Sequence, residues 1–289
     1  MFFCGTKAIA RRVTQPHDTY YGDEALVLDW IFYHDAVYKF SIRHWMNKND
    51  DQIQLAGQQK VISKAVFAPE RQIVSSWSPS SVPRPHGIHH ENNDDTDIRI
   101  QIAPTLGCSL ELLDLVCQIV DAVLDRDDPL YLSPFHLKTM QSLEFRIRNL
   151  EQRKSGIAGL DPHNTTVAEL YRLAALIYLS RIARGESRDS ANVQELLTQA
   201  FDLLGTLDFC LRPWPLFIIA LEADTEDLRK TIMKVLDESL KRRPLGSMSI
   251  LSRMIREAWV QQDLQSEEVD PLLLYNLTVS HNRVPPCFA

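Results

Sequence analysis

Apolar residues recur at three- and four-residue steps along most of this chain, which is the spacing of one face of an α-helix. The clearest example runs from Val27 to Trp45, where apolar and aromatic side chains form one continuous stripe. Such a stripe must be covered by other helices. The alternation typical of a strand occurs only in Asp97–Ala103. Because a single strand has nothing to pair with, we expect an extended linker there.

Residues that start and stop helices divide the rest of the chain. Thr166 and Glu169 have the spacing of a capping box, and Gly185 follows the apolar segment Val167–Arg184. The run Lys241–Arg243 is typical of cations that close a helix C-terminus. Further starts are predicted at Ser109, Pro134, Ser190, Thr225 and Ser247. The predicted fold is all-α, an irregular multi-helix bundle or helical array with one long loop insertion.

The same signals predict how the chain is organised. We expect a flexible lead-in over residues 1–22, a helical domain over 23–265 and a C-terminal tail over 266–289. A proline-rich polar stretch interrupts the helical domain at about 75–97 and predicts the loop insertion. It holds His86, His89 and His90 near acidic residues, a metal-ligand composition. Since a loop gives no fixed coordination geometry, we expect a solvated polar tract.

Composition limits the classes of function. The chain has 289 residues, 45% of them hydrophobic, and a net charge of -7. The hydrophobic fraction is that of an ordinary globular protein. The negative charge disfavours a nucleic-acid binder, which needs a basic surface. No stretch approaches the roughly 18 apolar residues of a membrane span. The cysteines are widely spaced and predict reduced thiols without a zinc or disulfide framework: Cys4, Cys108, Cys117, Cys210 and Cys287.

The search for chemistry finds no nucleotide-binding, nucleophile-elbow or zinc-protease motif. Asp121 and Asp125 have the i, i+4 spacing of helical metal ligands, but a solvated helix end is the expected reading. We predict no catalytic, cofactor-binding or metal-binding residue. Four tryptophans lie on or beside predicted apolar faces, where we expect core packing, with a pocket for a small apolar effector as the alternative: Trp30, Trp45, Trp214 and Trp259.

One segment carries a family resemblance. Cys210–Ala223 reads CLRPWPLFIIALEA and resembles the P-W-P-L-F-I-x-G-x-E-A signature of the fungal-specific transcription factor domain, with Ala220 in place of the glycine. The segment Glu169–Leu179 is similar to the helix that precedes this signature in the family. Asp227 and Arg229, then Trp259 and Asp263, resemble its later charged helix and its closing W-x-x-x-D. Tyr33–Trp45 is similar to a segment early in the domain.

The resemblance implies a helical regulatory module of a fungus. Such a module works in the nucleus, and in the cytoplasm as a further location, through transcription-regulatory proteins, a second copy of the chain or a small effector. It implies no cofactor and no direct DNA binding, since the family's six-cysteine zinc cluster does not occur in this sequence. Either the chain lacks the cluster or the sequence given begins after it. The implied partner or effector contacts are Trp214, Phe217, Glu222 and Trp259.

Two alternatives to this reading stay open. A cofactor-free enzyme or small-molecule-binding protein could use the same helical scaffold, because a fold alone does not fix a function. A purely structural partner is the third reading.

The charge of the chain gives a direct test. With a net charge of -7 and no groove-reading motif, we expect the purified chain to bind DNA weakly and without sequence preference. Gel retardation with a set of unrelated duplexes across a salt series measures this. Salt-resistant retardation of one duplex over the others would contradict the prediction.

Overall fold

The computed structural model describes residues 22–46, 98–103, 105–153, 162–264 and 269–288. These parts form nine α-helices and one two-stranded sheet, which confirms the all-α prediction. The helices, in chain order, are α1 (Gly22–Met46), α2 (Leu110–Ala122), α3 (Pro134–Arg148), α4 (Pro162–Tyr178), α5 (Ala191–Thr206), α6 (Pro213–Ala220), α7 (Glu226–Arg242), α8 (Gly246–Leu264) and α9 (Pro271–Ser280).

The centre of the molecule is α4 and the turn that follows it. A helix that is apolar on all sides has to be covered on all sides, and residues 173–178 of this helix are all buried. Helices α5 and α6 pack against α4, and α3 lies against it as well. The chain then continues into a π-helical turn, Leu179–Ala183, in which the Arg184 amide donates to the Leu179 carbonyl. This turn is also buried and includes one charged side chain, Arg181.

The last helix corrects the prediction of a tail after residue 265. Helix α9 packs against α1 and α8, and its Tyr275 is fully buried, as is Phe288 beyond it. Asp270 caps the helix by accepting from the Leu272 amide, and Pro271 occupies its first turn. The helix has no polar face, so it shows no helical periodicity, and only the Asp-Pro start was available as a signal in the sequence.

The predicted linker Asp97–Ala103 is also corrected. Its described part starts as a 3₁₀ turn, Ile98–Ile100, and continues as strand β1 (Ile102–Ala103). Strand β1 pairs antiparallel with β2 (Cys108–Ser109), so the extended residues do have a partner. The turn between them needs Gly107, which has a φ of 81° and whose added Cβ would lie 2.8 Å from Nε of Arg212.

Most predicted helix starts are confirmed. The hydroxyls of Ser109, Ser190 and Thr225 accept from amides three residues on, and Pro134 lies in the first turn of α3. Two starts were predicted too late. Helix α4 begins at Pro162, ahead of the proposed capping box, and α8 begins at Gly246, ahead of Ser247.

Other expectations have mixed outcomes. The lead-in, the loop insertion and its histidines lie outside the described residues, and so does Cys4. The remaining four cysteines are free thiols. Asp121 and Asp125 do not share a helix face, because α2 ends at Ala122; they pair instead with Lys39 and Arg43 of α1. Within the parts listed above, no helix is both long and apolar enough to cross a membrane.

A buried polar group ties α1 to the centre of the fold. His44 is fully buried, and its Nδ1 lies 2.8 Å from Oδ1 of Asn276 on α9 while its Nε2 lies 2.7 Å from the Tyr178 hydroxyl on α4. Since a carbonyl oxygen only accepts, Nδ1 is the donor and Nε2 accepts from Tyr178. Burial lowers the pKa of His44 from 6.5 to about 3. The neutral imidazole therefore connects three helices.

This pKa predicts how stability changes with pH. Below pH 6.5 His44 of the unfolded chain is protonated, whereas His44 of the folded chain stays neutral until about pH 3. The stability of the fold therefore falls as the pH is lowered through that window. At pH 5 the loss from His44 alone is about 2 kcal/mol relative to pH 7. Denaturant unfolding of wild type and His44→Gln at both pH values measures it. The variant should lose about 2 kcal/mol less than wild type between them, and equal losses would contradict the assignment.

Candidate functional site

The four candidate contact residues lie in two different environments. Trp214 and Phe217 are fully buried inside the bundle. Glu222 lies just beyond the end of α6 and lines a surface pocket. Trp259 on α8 is 7% exposed and lies beside that pocket. The structure therefore places Trp214 and Phe217 in the core, and Glu222 and Trp259 at or beside a surface pocket.

Helix α6 begins at two prolines and has no polar face. Pro213 and Pro215 have the fixed φ that suits a first helical turn, where a missing N–H costs nothing. All eight residues of α6 are buried. Trp214 stacks on Tyr171 of α4 with ring centroids 5.8 Å apart, and Phe40 of α1 meets it edge-on at 6.0 Å. The Trp214 indole N–H has no acceptor among the described residues.

Two other tryptophans predicted to lie in the core, Trp45 and Trp30, differ in burial. Trp45 is buried and donates to the Asn282 carbonyl, which confirms its core position. Trp30 is 49% exposed, so the prediction of core packing was wrong for this residue. It lies near the start of α1, where Val27 is exposed as well.

The C-terminal end of α6 is held by side chains from other parts of the fold. Trp259 Nε1 donates to the Ala220 carbonyl at 2.8 Å, and Gln262 Nε2 donates to the Leu221 carbonyl at 2.8 Å. A helix leaves its last carbonyls without internal partners. These two donors of α8 therefore satisfy buried acceptors that α6 cannot satisfy itself.

Glu222 lies at the centre of a buried ion cluster. Its Oε2 is 3.0 Å from Nε of Arg181 and 3.2 Å from Nε of Arg188. The side chains of Arg181 and Glu222 are only 3% and 2% exposed. The π-helical turn places Arg181 here, and Arg188 lies in the segment that follows the turn. Two cations therefore share one carboxylate oxygen at the end of the signature helix.

A second ion pair closes the other side of the site. Arg229 of α7 forms a bidentate pair with Asp263 of α8, with nitrogen–oxygen distances of 2.7 and 2.8 Å. Its Nε donates to the Ala223 carbonyl at 3.1 Å, and its guanidinium lies 5.3 Å from the Trp259 ring centre. Arg229 lowers the pKa of the Asp263 carboxyl. Arg229 and Asp263, both of which belong to the family resemblance, thus form a direct ion pair.

These groups surround a pocket of about 270 Å³ at the surface. Charged and amide side chains form one part of its wall, and apolar side chains from the residue after α6, from Val269 and from α9 form the other. Its lining residues are Arg181, Arg188, Leu221, Glu222, Asp224, Arg229, Gln262, Asp263, Val269, Pro271 and Leu274. None of the four tryptophans weighed as a pocket lining is among them.

Sequence reasoning named Glu222, Arg229 and Asp263 but missed Arg181, Arg188 and Gln262. No local signal marks them, because their partners are 41, 34 and 41 residues away in the chain. Gln262 Oε1 is buried and has no donor among the residues with described positions. In those same ranges, no group of three or more histidine, cysteine, aspartate or glutamate side chains has the arrangement of a metal site.

Comparison with known families identifies the class of protein. A model described as "Fungal specific transcription factor domain" matches residues 1–277. The chain therefore belongs to the fungal-specific transcription factor domain family, as the signature in α6 indicated.

A curated relative agrees with this class. The chain is 22% identical over 267 residues to "Transcription factor iacI" of Pestalotiopsis fici. The match covers 92% of this chain and 59% of that protein, so the chain spans well under two thirds of its relative's length. No solved structure matches the chain.

The burial of Trp214 predicts a large effect of its removal. Trp214→Ala deletes a fully buried ring and should lower the free energy of unfolding by about 3–5 kcal/mol. Trp30→Ala is the matched control, because Trp30 is half exposed and its removal should cost roughly 0.5 kcal/mol or less. Denaturant unfolding of both variants measures the difference. Equal stability of the two would show that Trp214 does not anchor α6.

The buried cluster around Glu222 gives a second prediction. Glu222→Gln leaves Arg181 buried without a counter-charge and should reduce stability by about 3–5 kcal/mol. Glu238→Gln removes an exposed pair with Lys241 and should leave the melting temperature nearly unchanged. Thermal and denaturant unfolding test both. A Glu222→Gln protein as stable as Glu238→Gln would refute the role of the cluster.

Proposed function

We propose that this chain is a regulatory module of fungal transcription that works in the nucleus. It acts through protein partners, and the pocket at the end of α6 receives a small effector that controls this action. Direct DNA recognition belongs to another segment or protein. The family match over residues 1–277 is the observation that carries the proposal, and the transcription factor of Pestalotiopsis fici supports it.

The position of the family residues supports a role for the pocket. Glu222 from the signature segment and Asp263 from the closing motif both line it, and Arg229 bridges α7 to α8 beside it. Five parts of the chain meet there: the π-helical turn with the segment after it, the segment after α6, α7, α8, and α9 with the residue Val269 before it. A ligand in this place contacts several helices at once, so it can shift their arrangement through differential contacts.

A reporter assay tests the proposed function. The chain is fused to a heterologous DNA-binding domain in yeast, and transcription from a matching reporter is compared with that of the DNA-binding domain alone. We expect a severalfold change in reporter output. Localisation by microscopy and abundance by immunoblot are the controls. A stable nuclear fusion whose reporter output equals that of the DNA-binding domain alone would refute the proposal.

A small-molecule-binding protein or a cofactor-free enzyme outside transcription is the second candidate. The same pocket supports it, since it combines apolar walls with a few convergent polar groups. The reporter assay separates the two, because this candidate binds a ligand without changing transcription.

A further inference from the structure

We propose that the pocket beside Glu222 binds a small monocarboxylic acid with an apolar body, and that the Arg188 guanidinium holds its carboxylate. This inference deepens the proposed function and rests on it for its biological meaning. Its physical basis is the charge, the open donors and the size of the pocket.

The first step concerns charge. Arg229 is matched by Asp263, whereas Arg181 and Arg188 share Oε2 of Glu222. The remaining acidic lining residue, Asp224, lies exposed at the surface, where solvent screens its charge. Arg188 thus shares its carboxylate partner with a second arginine, so Glu222 matches the charge of Arg188 only in part, which favours an anionic guest beside Arg188.

The second step concerns hydrogen-bond donors. Arg229 uses all three of its side-chain nitrogens on Ala223 and Asp263. Arg188 uses Nε on Glu222 and Nη2 on the Leu221 carbonyl. Its Nη1 has no acceptor within the described parts of the chain, although the side chain is only 17% exposed. Arg188 is therefore fixed by two bonds and keeps a charged donor for a ligand, and a carboxylate is a suitable acceptor.

The third step concerns which anion fits. Glu222 and Asp263 lie in the same wall and would repel a doubly charged group such as phosphate more strongly than a singly charged carboxylate. A single open guanidinium nitrogen also offers fewer donors than phosphate sites commonly provide. A monocarboxylate carries only one negative charge and can be bound by a single donor, so it suits this pocket better than phosphate.

The fourth step concerns the rest of the ligand. Leu221, Val269, Pro271 and Leu274 form an apolar wall beside the charged one. The volume of about 270 Å³ is close to the lower limit of roughly 300 Å³ for ligand pockets in general. The ligand is therefore small, with an aromatic or branched aliphatic body next to its carboxylate.

Titration calorimetry on the purified chain tests this chemistry with four probes. Benzoate and isovalerate carry the proposed group, while benzamide and isovaleramide keep the same bodies without the charge. We expect the two acids to bind with a Kd on the order of 1 mM or tighter and each amide to bind at least tenfold more weakly. Inorganic phosphate, added at equal ionic strength, should not displace benzoate. Displacement by phosphate, or acids and amides that bind equally, would overturn the proposal.

Substitutions locate the binding site. Arg188→Gln should weaken benzoate binding at least tenfold, and Arg188→Lys should keep part of it because the charge remains. Arg256→Gln on the exposed face of α8 is the control and should bind benzoate as wild type does. Circular dichroism and thermal unfolding confirm that each variant is folded. Unchanged benzoate affinity in a folded Arg188→Gln protein would refute the assignment of Arg188.

The two proposals fail separately. If benzoate binds through Arg188 but the reporter fusion is inactive, the ligand class stands and the role in transcription fails. If the reporter fusion is active but neither acid binds at millimolar concentration, the role in transcription stands and the ligand class fails.

Discussion

The short helix α6 ends in buried carbonyl groups that need donors from outside the helix, and the arrangement of its surroundings depends on meeting that need. Trp259 and Gln262 reach the end of α6 from α8, Arg229 reaches it from α7 and Arg188 from the segment after the π-helical turn. A buried carbonyl without a donor costs about as much free energy as a lost hydrogen bond. These bonds fix how the neighbouring segments sit around the helix end, and the pocket lies among those segments.

The arginines of this region follow from the same need. The C-terminus of a helix carries a partial negative charge, so arginines are favourable donors there. Burying them requires acidic partners, which Glu222 and Asp263 provide. The structural role and the proposed ligand binding thus use the same groups: the arginines bond to the helix end and to Glu222, and one nitrogen of Arg188 has no acceptor among the described residues.

The sequence predicted the helical class and several starts because those signals are local. Ser109, Ser190 and Thr225 cap helices within three residues of themselves, and Pro134 lies in the first turn of α3. The tail and the linker were mispredicted for a different reason. Helix α9 has no polar face to reveal its period, and β1 consists of two residues whose partner strand is equally short. Neither element can be recognised without its neighbours.

The site was only half predictable. The signature segment and the closing motif pointed to Glu222 and Asp263, but the charge cluster is defined by Arg181 and Arg188, which meet Glu222 from an earlier part of the chain. For Trp214 the sequence identified the residue but not its role. Its sequence context did not separate a core anchor from a pocket wall, and only its full burial does.

The π-helical turn Leu179–Ala183 makes the geometry of the pocket depend on the number of residues in this turn. Such a turn is an α-helix with one residue inserted. Without that residue the segment would return to regular α-helical spacing, and everything after it would rotate by about 100° around the helix axis and retreat by about 1.5 Å. Arg188 would then no longer keep its present position relative to Glu222, although no arginine had been substituted. Relatives that differ by one residue here are thus expected to differ in pocket geometry even where every lining side chain is the same.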